Sequence, residues 1–400
     1  MKQNSVLYSL LVIISVLFYQ CDNSEIDPAP KKPFVFKWCT LDSIRSITLY
    51  TKDESHEWLS GSETYMFDFM VDWGDGQVEN FSGVSPEVAH EFDQTSCYDI
   101  SIIGVFPSFR VNPQILSYGD IRNIHNINDV VIHSLEIKQW GDIAWKNLEF
   151  DLKDLSITAT DAPDLSEVEN LDWAFFYTNI SGDINGWDVS TIQSMKNTFQ
   201  HASYPGSLKD WTVSNVENMN SLFSCSDFSG DLSSWNVQSV KDMSGMFTGT
   251  LFNGELGSWD VSNVQFMNSM FADSKFNMDL SGWNVSSVEN MEGMFSGAAF
   301  NQDISGWDIS NVTSFSCGRD ARLCGIIAVD DFSCTLHRKR FLDGEFSTEY
   351  YDHLLKSWSE HDLKDSLYIE INQYYSEGSS LARQSIIDNH KWIIADLGQL

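Results

Sequence analysis

Five carboxylates, Asp183, Asp231, Glu255, Asp279 and Asp303, recur at multiples of 24 residues. If each 24-residue unit is one coil of a stack, they line up about 4.8 Å apart, the spacing of neighbouring strands. Like charges that close share protons, splay into water or hold a cation between them. The column therefore reads first as a solvated corner whose side chains cap backbone amides, and second as a weak site for calcium. Paired carboxylates also hydrolyse glycans, but an active site should interrupt the repeat, and these positions keep it. No Arg falls between residues 123 and 318 to supply a basic catalyst. The expectation is a protein that is not an enzyme and needs no cofactor, with calcium the one ion the column could take. Asp72, Asp75 and His90 form a second polar group and read as turn and strand-edge chemistry.

The chain has seven cysteines. Cys21 closes an apolar run, Val6 to Phe18, that follows Lys2 and is too short to span a bilayer comfortably. Residues 1–20 thus read as a signal peptide, and Cys21 resembles the lipidation site of bacterial lipoproteins, with Tyr19 and Gln20 where that motif prefers small residues. The Pro-rich stretch 21–33 is a tether. The other six, Cys39, Cys97, Cys225, Cys317, Cys324 and Cys334, are an even number in an exported chain, which permits disulfides. The last three lack the Cys-x-x-Cys spacing of zinc sites.

The elements that must carry these residues are set by the repeat. WDVSNVQFMNSMFADSKFNMDLSG from Trp259 is answered by WNVSSVENMEGMFSGAAFNQDISG from Trp283. Tryptophan stands at 187, 211, 235, 259, 283 and 307, with Val, Met and Phe columns in step. A fixed period of this length marks a solenoid, in which each unit buries its apolar face on its neighbours. Trp-x-Val alternates as a strand does, and Met291, Met294 and Phe295 fall on one face of a helical turn. Each coil is therefore expected to be one short strand, a corner, one helical turn and a second corner, with the six tryptophans in the core. The repeat enters in degraded form after Tyr118, with Pro163, Leu171 and Phe175 in the Trp, Met and Phe columns.

Ahead of the repeat, FVFKW, SITLY, YMFDFMVDW and YDISIIGVF are β-rich runs, and Asp72-Trp-Gly-Asp-Gly76 is a hairpin signal. Trp73 to Gly76, His90-Glu-Phe92 and Tyr98-Asp-Ile100 resemble a PKD-type β-sandwich, which implies a spacer or weak binding module. Cys39 with Cys97 is the favoured disulfide within it. Residues 316–346 break every repeat column and hold a basic cluster at His337 to Arg340. After them, Ser347 or Thr348 can cap a helix presenting Tyr351, Leu354, Leu355 and Trp358, and a strand, a second helix near Ser380 to His390 and Trp392 to Ile394 follow as a C-terminal cap.

The repeat unit W-[DN]-V-S-[NS]-V-x-x-M-x-x-M-F closely resembles the BspA-like bacterial surface-protein repeat, a leucine-rich-repeat-like family. The resemblance implies surface exposure and binding or adhesion. Fold class is thus expected to be mostly β: a PKD-like β-sandwich over 34–115, a parallel β-solenoid of 24-residue coils over 116–315, a divergent segment 316–346 and an α/β cap over 347–400. Charge narrows the partners. Lys and Arg number 24 against 57 Asp and Glu, net −33, and residues 163–315 hold 19 acids against four lysines, net −15. A nucleic-acid groove needs the opposite sign. The reading is a lipid-anchored protein of the bacterial outer membrane or cell surface, or else a secreted one. It binds a protein, cell surface or glycan, and touches membrane only through its anchor. A self-associating structural component of the envelope is the alternative, and a polysaccharide-cleaving β-helix enzyme a minor one.

Overall fold

The computed structural model describes residues 31–40, 45–50, 66–83, 87–106, 108–112, 134–150, 152–314, 347–371 and 373–400. The signal, Cys21, most of the tether and the segment 316–346 lie outside the described residues. The described chain is mostly β with few helices.

Among the described residues, eleven strands occupy the N-terminal half: β1 (Phe34–Cys39), β2 (Ser46–Tyr50), β3 (Phe67–Asp72), β4 (Val78–Gly83), β5 (Glu87–Glu91), β6 (Cys97–Val105), β7 (Ser108–Asn112), β8 (Ser134–Gln139), β9 (Asn147–Leu148), β10 (Asp154–Ile157) and β11 (Asn179–Ser181). Alternation builds them: Phe34, Phe36 and Trp38 of β1, and Phe67, Phe69 and Val71 of β3, all turn inward. Cys39 and Cys97 sit directly opposite in the β1–β6 register and are disulfide-bonded.

Two sheets form, in the orders β11-β10-β8-β1-β6-β3-β4 and β5-β2-β7-β9. Both run from the sandwich straight into the repeat. β1 pairs β8 antiparallel, β8 pairs β10 and β10 pairs β11 in parallel, and β7 pairs β9 in parallel. The division between residues 115 and 116, expected from the β-rich runs before it and the repeat after it, is therefore no gap in packing. Lys32–Leu400 is one compact unit, and Trp140 and Trp145 pack against Phe34 of the sandwich on one side while Trp140 meets Trp187 on the other.

Beyond Ser181 the coils stack at the 24-residue period, but not through the elements expected. Successive coils join by single parallel bridges, Ser194↔Asn218, Asn218↔Asp242, Asp242↔Phe266 and Phe266↔Asn290, one residue before each Met. Trp-x-Val makes no strand. Trp211 N–H bonds the Leu208 carbonyl and Val216 N–H the Val213 carbonyl, so both residues flank tight turns and the short alternation arises from corners. The helical turn is replaced as well. From Met195 to His201 every second N–H, at 195, 197, 199 and 201, donates to the next coil, to the carbonyls of 218, 220, 222 and 224; those of 198, 200 and 202 donate three residues back. Each N–H of this ribbon thus finds a partner without a helix.

Two positions of that ribbon lie in the left-handed region in every coil. One holds Trp173, Asn197, Ser221, Gly245, Ser269 and Gly293, the other Tyr177, His201, Cys225, Gly249, Asp273 and Gly297. Inside, Phe175, Phe199, Phe223, Phe247, Phe271 and Phe295 stack with centroids 5.2–5.8 Å apart.

The C-terminal part holds α1 (Thr348–Trp358), β12 (Tyr368–Glu370), β13 (Tyr374–Tyr375), α2 (Ser380–His390), β14 (Ile393–Ala395) and β15 (Gly398–Gln399). Ser347 caps α1, its Oγ accepting the Tyr350 N–H at 3.2 Å. An asparagine ladder delivers the chain to this point: Asn253 Oδ1 accepts the Asn277 N–H, Asn277 Oδ1 the Asn301 N–H, and Asn301 Oδ1 the Ser347 N–H, at 2.7, 2.7 and 2.9 Å. Ser347 therefore lies one ladder step beyond the last complete coil.

Candidate binding face

All six column tryptophans are buried, from 1 to 4 % exposed. Five of them, Trp211, Trp235, Trp259, Trp283 and Trp307, donate Nε1–H to a backbone carbonyl of the preceding coil at 2.8–3.0 Å. An indole so placed carries both apolar mass and a coil-to-coil hydrogen bond, and offers no ring to a ligand.

The acidic column is a corner. Asp183, Asp231, Asp279 and Asp303 each accept, through Oδ1, the N–H two residues on, at 2.8–2.9 Å, and Glu255 lies exposed at the equivalent position. Asp188, Asp260 and Asp308 make the same turn at a second corner, and Asn218, Asp242 and Asn290 at a third. These bonds hold the carboxyls of Asp231 and Asp279 below the usual range; at Asp279 they outweigh the opposing push from the Asp303 charge. At Asp303 burial pushes the other way, but the Ser305 N–H and His353 prevail and the carboxyl is lowered too. Among the described residues, no three His, Cys, Asp or Glu side chains come together as a metal-holding group.

The Asp72 to Gly76 turn has the same chemistry. Asp72 Oδ1 accepts the Gly74 N–H at 3.0 Å and Asp75 Oδ1 the Gln77 N–H at 2.9 Å. His90 Nε2 lies 2.9 Å from Asp75 Oδ2, with its ring stacked on buried Trp73 at 4.5 Å. A Cβ at Gly74 would meet the Asp99 carbonyl oxygen at 2.5 Å, so the close approach of turn and strand requires glycine there.

What remains outward is a narrow parallel ladder. Gln193, Glu217, Lys241, Gln265 and Glu289 donate their N–H groups, each to the residue 24 earlier, at 2.7–2.9 Å. Their side chains are exposed and differ from coil to coil. Lys241 Nζ and Glu217 Oε2 pair across one step at 2.6 Å. Beside them Phe266 stands 38 % exposed where neighbouring coils carry Asp242 and Asn290. Gln265 and Glu289 thus lie on the ladder and Phe266 and Asn290 directly after it, while Asn268 and Glu292, half-buried, come two residues later.

Sequence reasoning missed an aromatic group in the first coils. Tyr177 stacks on His201 at 4.4 Å, and Phe176 meets Trp173 edge-on at 4.8 Å. Burial lowers the His201 pKa to about 4. The signal was the paired glycines of other coils, Gly245 with Gly249 and Gly293 with Gly297, which mark the left-handed columns that Trp173, Tyr177 and His201 share. Among the described residues no helix is long and apolar enough to cross a membrane.

Residues 146–251 and 225–318 each match a protein-family model described as Mycoplasma protein of unknown function, DUF285. No curated protein and no solved structure matches the chain.

Proposed function

We propose that this chain is a surface-displayed bacterial protein, lipid-anchored at Cys21, whose stacked coils bind another protein, a cell surface or a glycan. One observation carries the reading: the apolar residues that repeat from coil to coil are spent in the core and the repeating aspartates in corner turns, whereas the exposed ladder positions vary. A surface kept regular in spacing and irregular in chemistry is what a recognition face needs. The likeness of the repeat to BspA-like surface proteins, and of residues 34–112 to a PKD-type module, supports the same role. So does the charge, since a segment of net −15 repels nucleic acid and anionic lipid while steering a basic partner toward it.

The test uses the whole chain, because the sandwich and the coils share their sheets. A ligand recovered from a panel of glycans and surface proteins should lose affinity when Phe266→Ala and Glu289→Ala alter the ladder. Its association rate should fall as salt shortens the screening length from about 10 Å at 0.1 M to about 3 Å at 1 M. Binding unmoved by both changes would place recognition elsewhere. Cys21→Ala should release the protein from the membrane fraction, since stable anchoring then rests on acyl chains alone.

A further inference from the structure

The asparagine ladder that leads to α1 takes an irregular last step. Asn253, Asn277 and Asn301 stand 24 residues apart, but the next rung, the Ser347 N–H on Asn301 Oδ1, comes 46 residues on, an excess of 22 over the period. The chain therefore leaves the repeat after Ser314, whose bridge to Asn290 is regular, and is back on it at Ser347. Cys317, Cys324 and Cys334 lie in between.

Cys225 sits in the ribbon of an earlier coil, where its N–H donates to the Thr248 carbonyl at 2.7 Å, and its sulfur is in a disulfide. Cys39 and Cys97 are bonded to each other. That leaves Cys21, Cys317, Cys324 and Cys334 as partners. Cys21 drops out on the reading proposed above, because an acylated sulfur forms no disulfide. Reach decides among the other three. Parallel bridges count four coil steps from Asn218, in the same ribbon as Cys225, to Ser314, roughly 19 Å at strand spacing. Cys317 comes three residues after Ser314, an extended reach of about 11 Å, and a disulfide spans at most about 7 Å between α-carbons. That falls short even before the ribbon is crossed from Asn218 to Cys225. Cys324, ten residues after Ser314, reaches about 33 Å, and Cys334, thirteen before Ser347, about 43 Å. Charge favours the same connection. Residues 316–346 carry Arg319, Arg322, Arg338, Lys339 and Arg340 against five acids, whereas residues 163–315 are net −15 and contain no Arg. Cations held beside an acidic stack are drawn to it rather than away from it.

We infer that Cys225 is disulfide-bonded to Cys324 or Cys334, a cross-link that ties the inserted residues to the stack four coils before the point where they leave it. Forming the bond takes a proton from each thiol and two electrons from the pair, which pass to the disulfide of an exchange oxidant and reduce it to a dithiol. The loop it closes is about 100 residues long, which restricts the unfolded chain strongly. The test is peptide mapping of the full chain, with free thiols alkylated before digestion and no reductant added. Mass spectrometry should find a Cys225 peptide joined to one holding Cys324 or Cys334, and reduction should split the pair. Cys225 found alkylated, joined to Cys317 or joined to another molecule of the chain overturns the assignment. Cys225 joined to Cys21 overturns it together with the lipid anchor. Cys225→Ser should lower the thermal midpoint by several degrees without reductant. With reductant the two chains should melt together, since neither then holds the bond. A variant that melts with its parent in both conditions would show that Cys225 cross-links nothing.

Discussion

Trp259 and Trp140 show how one residue type does two jobs. Trp259 is 4 % exposed and donates Nε1–H to the Leu232 carbonyl at 3.0 Å. Trp140 is fully buried among Phe34, Trp145, Phe150 and Trp187, and its Nε1 has no hydrogen-bond partner. From the sequence, Trp140 stands at a degraded entrance and should be the cheaper one to truncate. Its packing reverses that, and alanine at either position should cost about 3–5 kcal/mol through the cavity left behind. Phenylalanine separates them. Trp259→Phe leaves the Leu232 carbonyl with only the Trp235 N–H and should cost about 1 kcal/mol more than Trp140→Phe, where no acceptor is abandoned. Denaturant unfolding of the two variants reads the difference, and equal losses would mean that the indole bond adds nothing. The column itself was legible because identical large residues at a fixed period have one physical use. The indole bonds were not, since they depend on which backbone carbonyl faces the ring.

At the scale of elements, the sequence reading was right about the period and wrong about its contents. Three residues of alternation, Trp-x-Val, fit a strand and also fit residues flanking two turns, and only the backbone pairing decides between them. Likewise Met291, Met294 and Phe295 share a face, but Gly293 and Gly297 at left-handed φ replace the helix by a ribbon of turns. That ribbon yields a prediction. Ser269 lies at φ 57°, and its buried hydroxyl has no hydrogen-bond partner. Its equivalents in adjacent coils are Gly245 and Gly293. The left-handed conformation costs an L-residue about 1–2 kcal/mol, whereas glycine adopts it freely at about 0.5–1 kcal/mol of chain entropy. Ser269→Gly also removes the stranded hydroxyl. Against the usual cost of glycine, it should therefore stabilise the protein, by about 1 kcal/mol, raising the denaturation midpoint. A lowered midpoint would show that Ser269 has a role the ribbon geometry does not explain.

The whole molecule is where the pattern of runs and repeats misled most. Residues 34–112 look like a separate module, and a fragment starting near 116 looks like a complete stack. The pairing says otherwise: β8 takes its antiparallel partner from β1 and β9 its parallel partner from β7, so the first coils are edge strands without the sandwich. Removing it would also uncover Trp140, Trp145, Leu135 and Ile137, each 1 % exposed or less in the intact chain. A flat, apolar, unpaired strand edge is an association hazard, and a stack that has lost its terminal cover loses the coil interfaces next to it first. A chain covering residues 116–400 should therefore melt well below the intact protein and aggregate from its N-terminal end. Hydrogen exchange should show the loss concentrated in residues 134–180 and fading toward the central coils, whose neighbours are unchanged. A fragment that melts with the intact protein, or exchange that rises evenly along all coils, would mean that the shared sheets contribute little and that sandwich and stack fold independently.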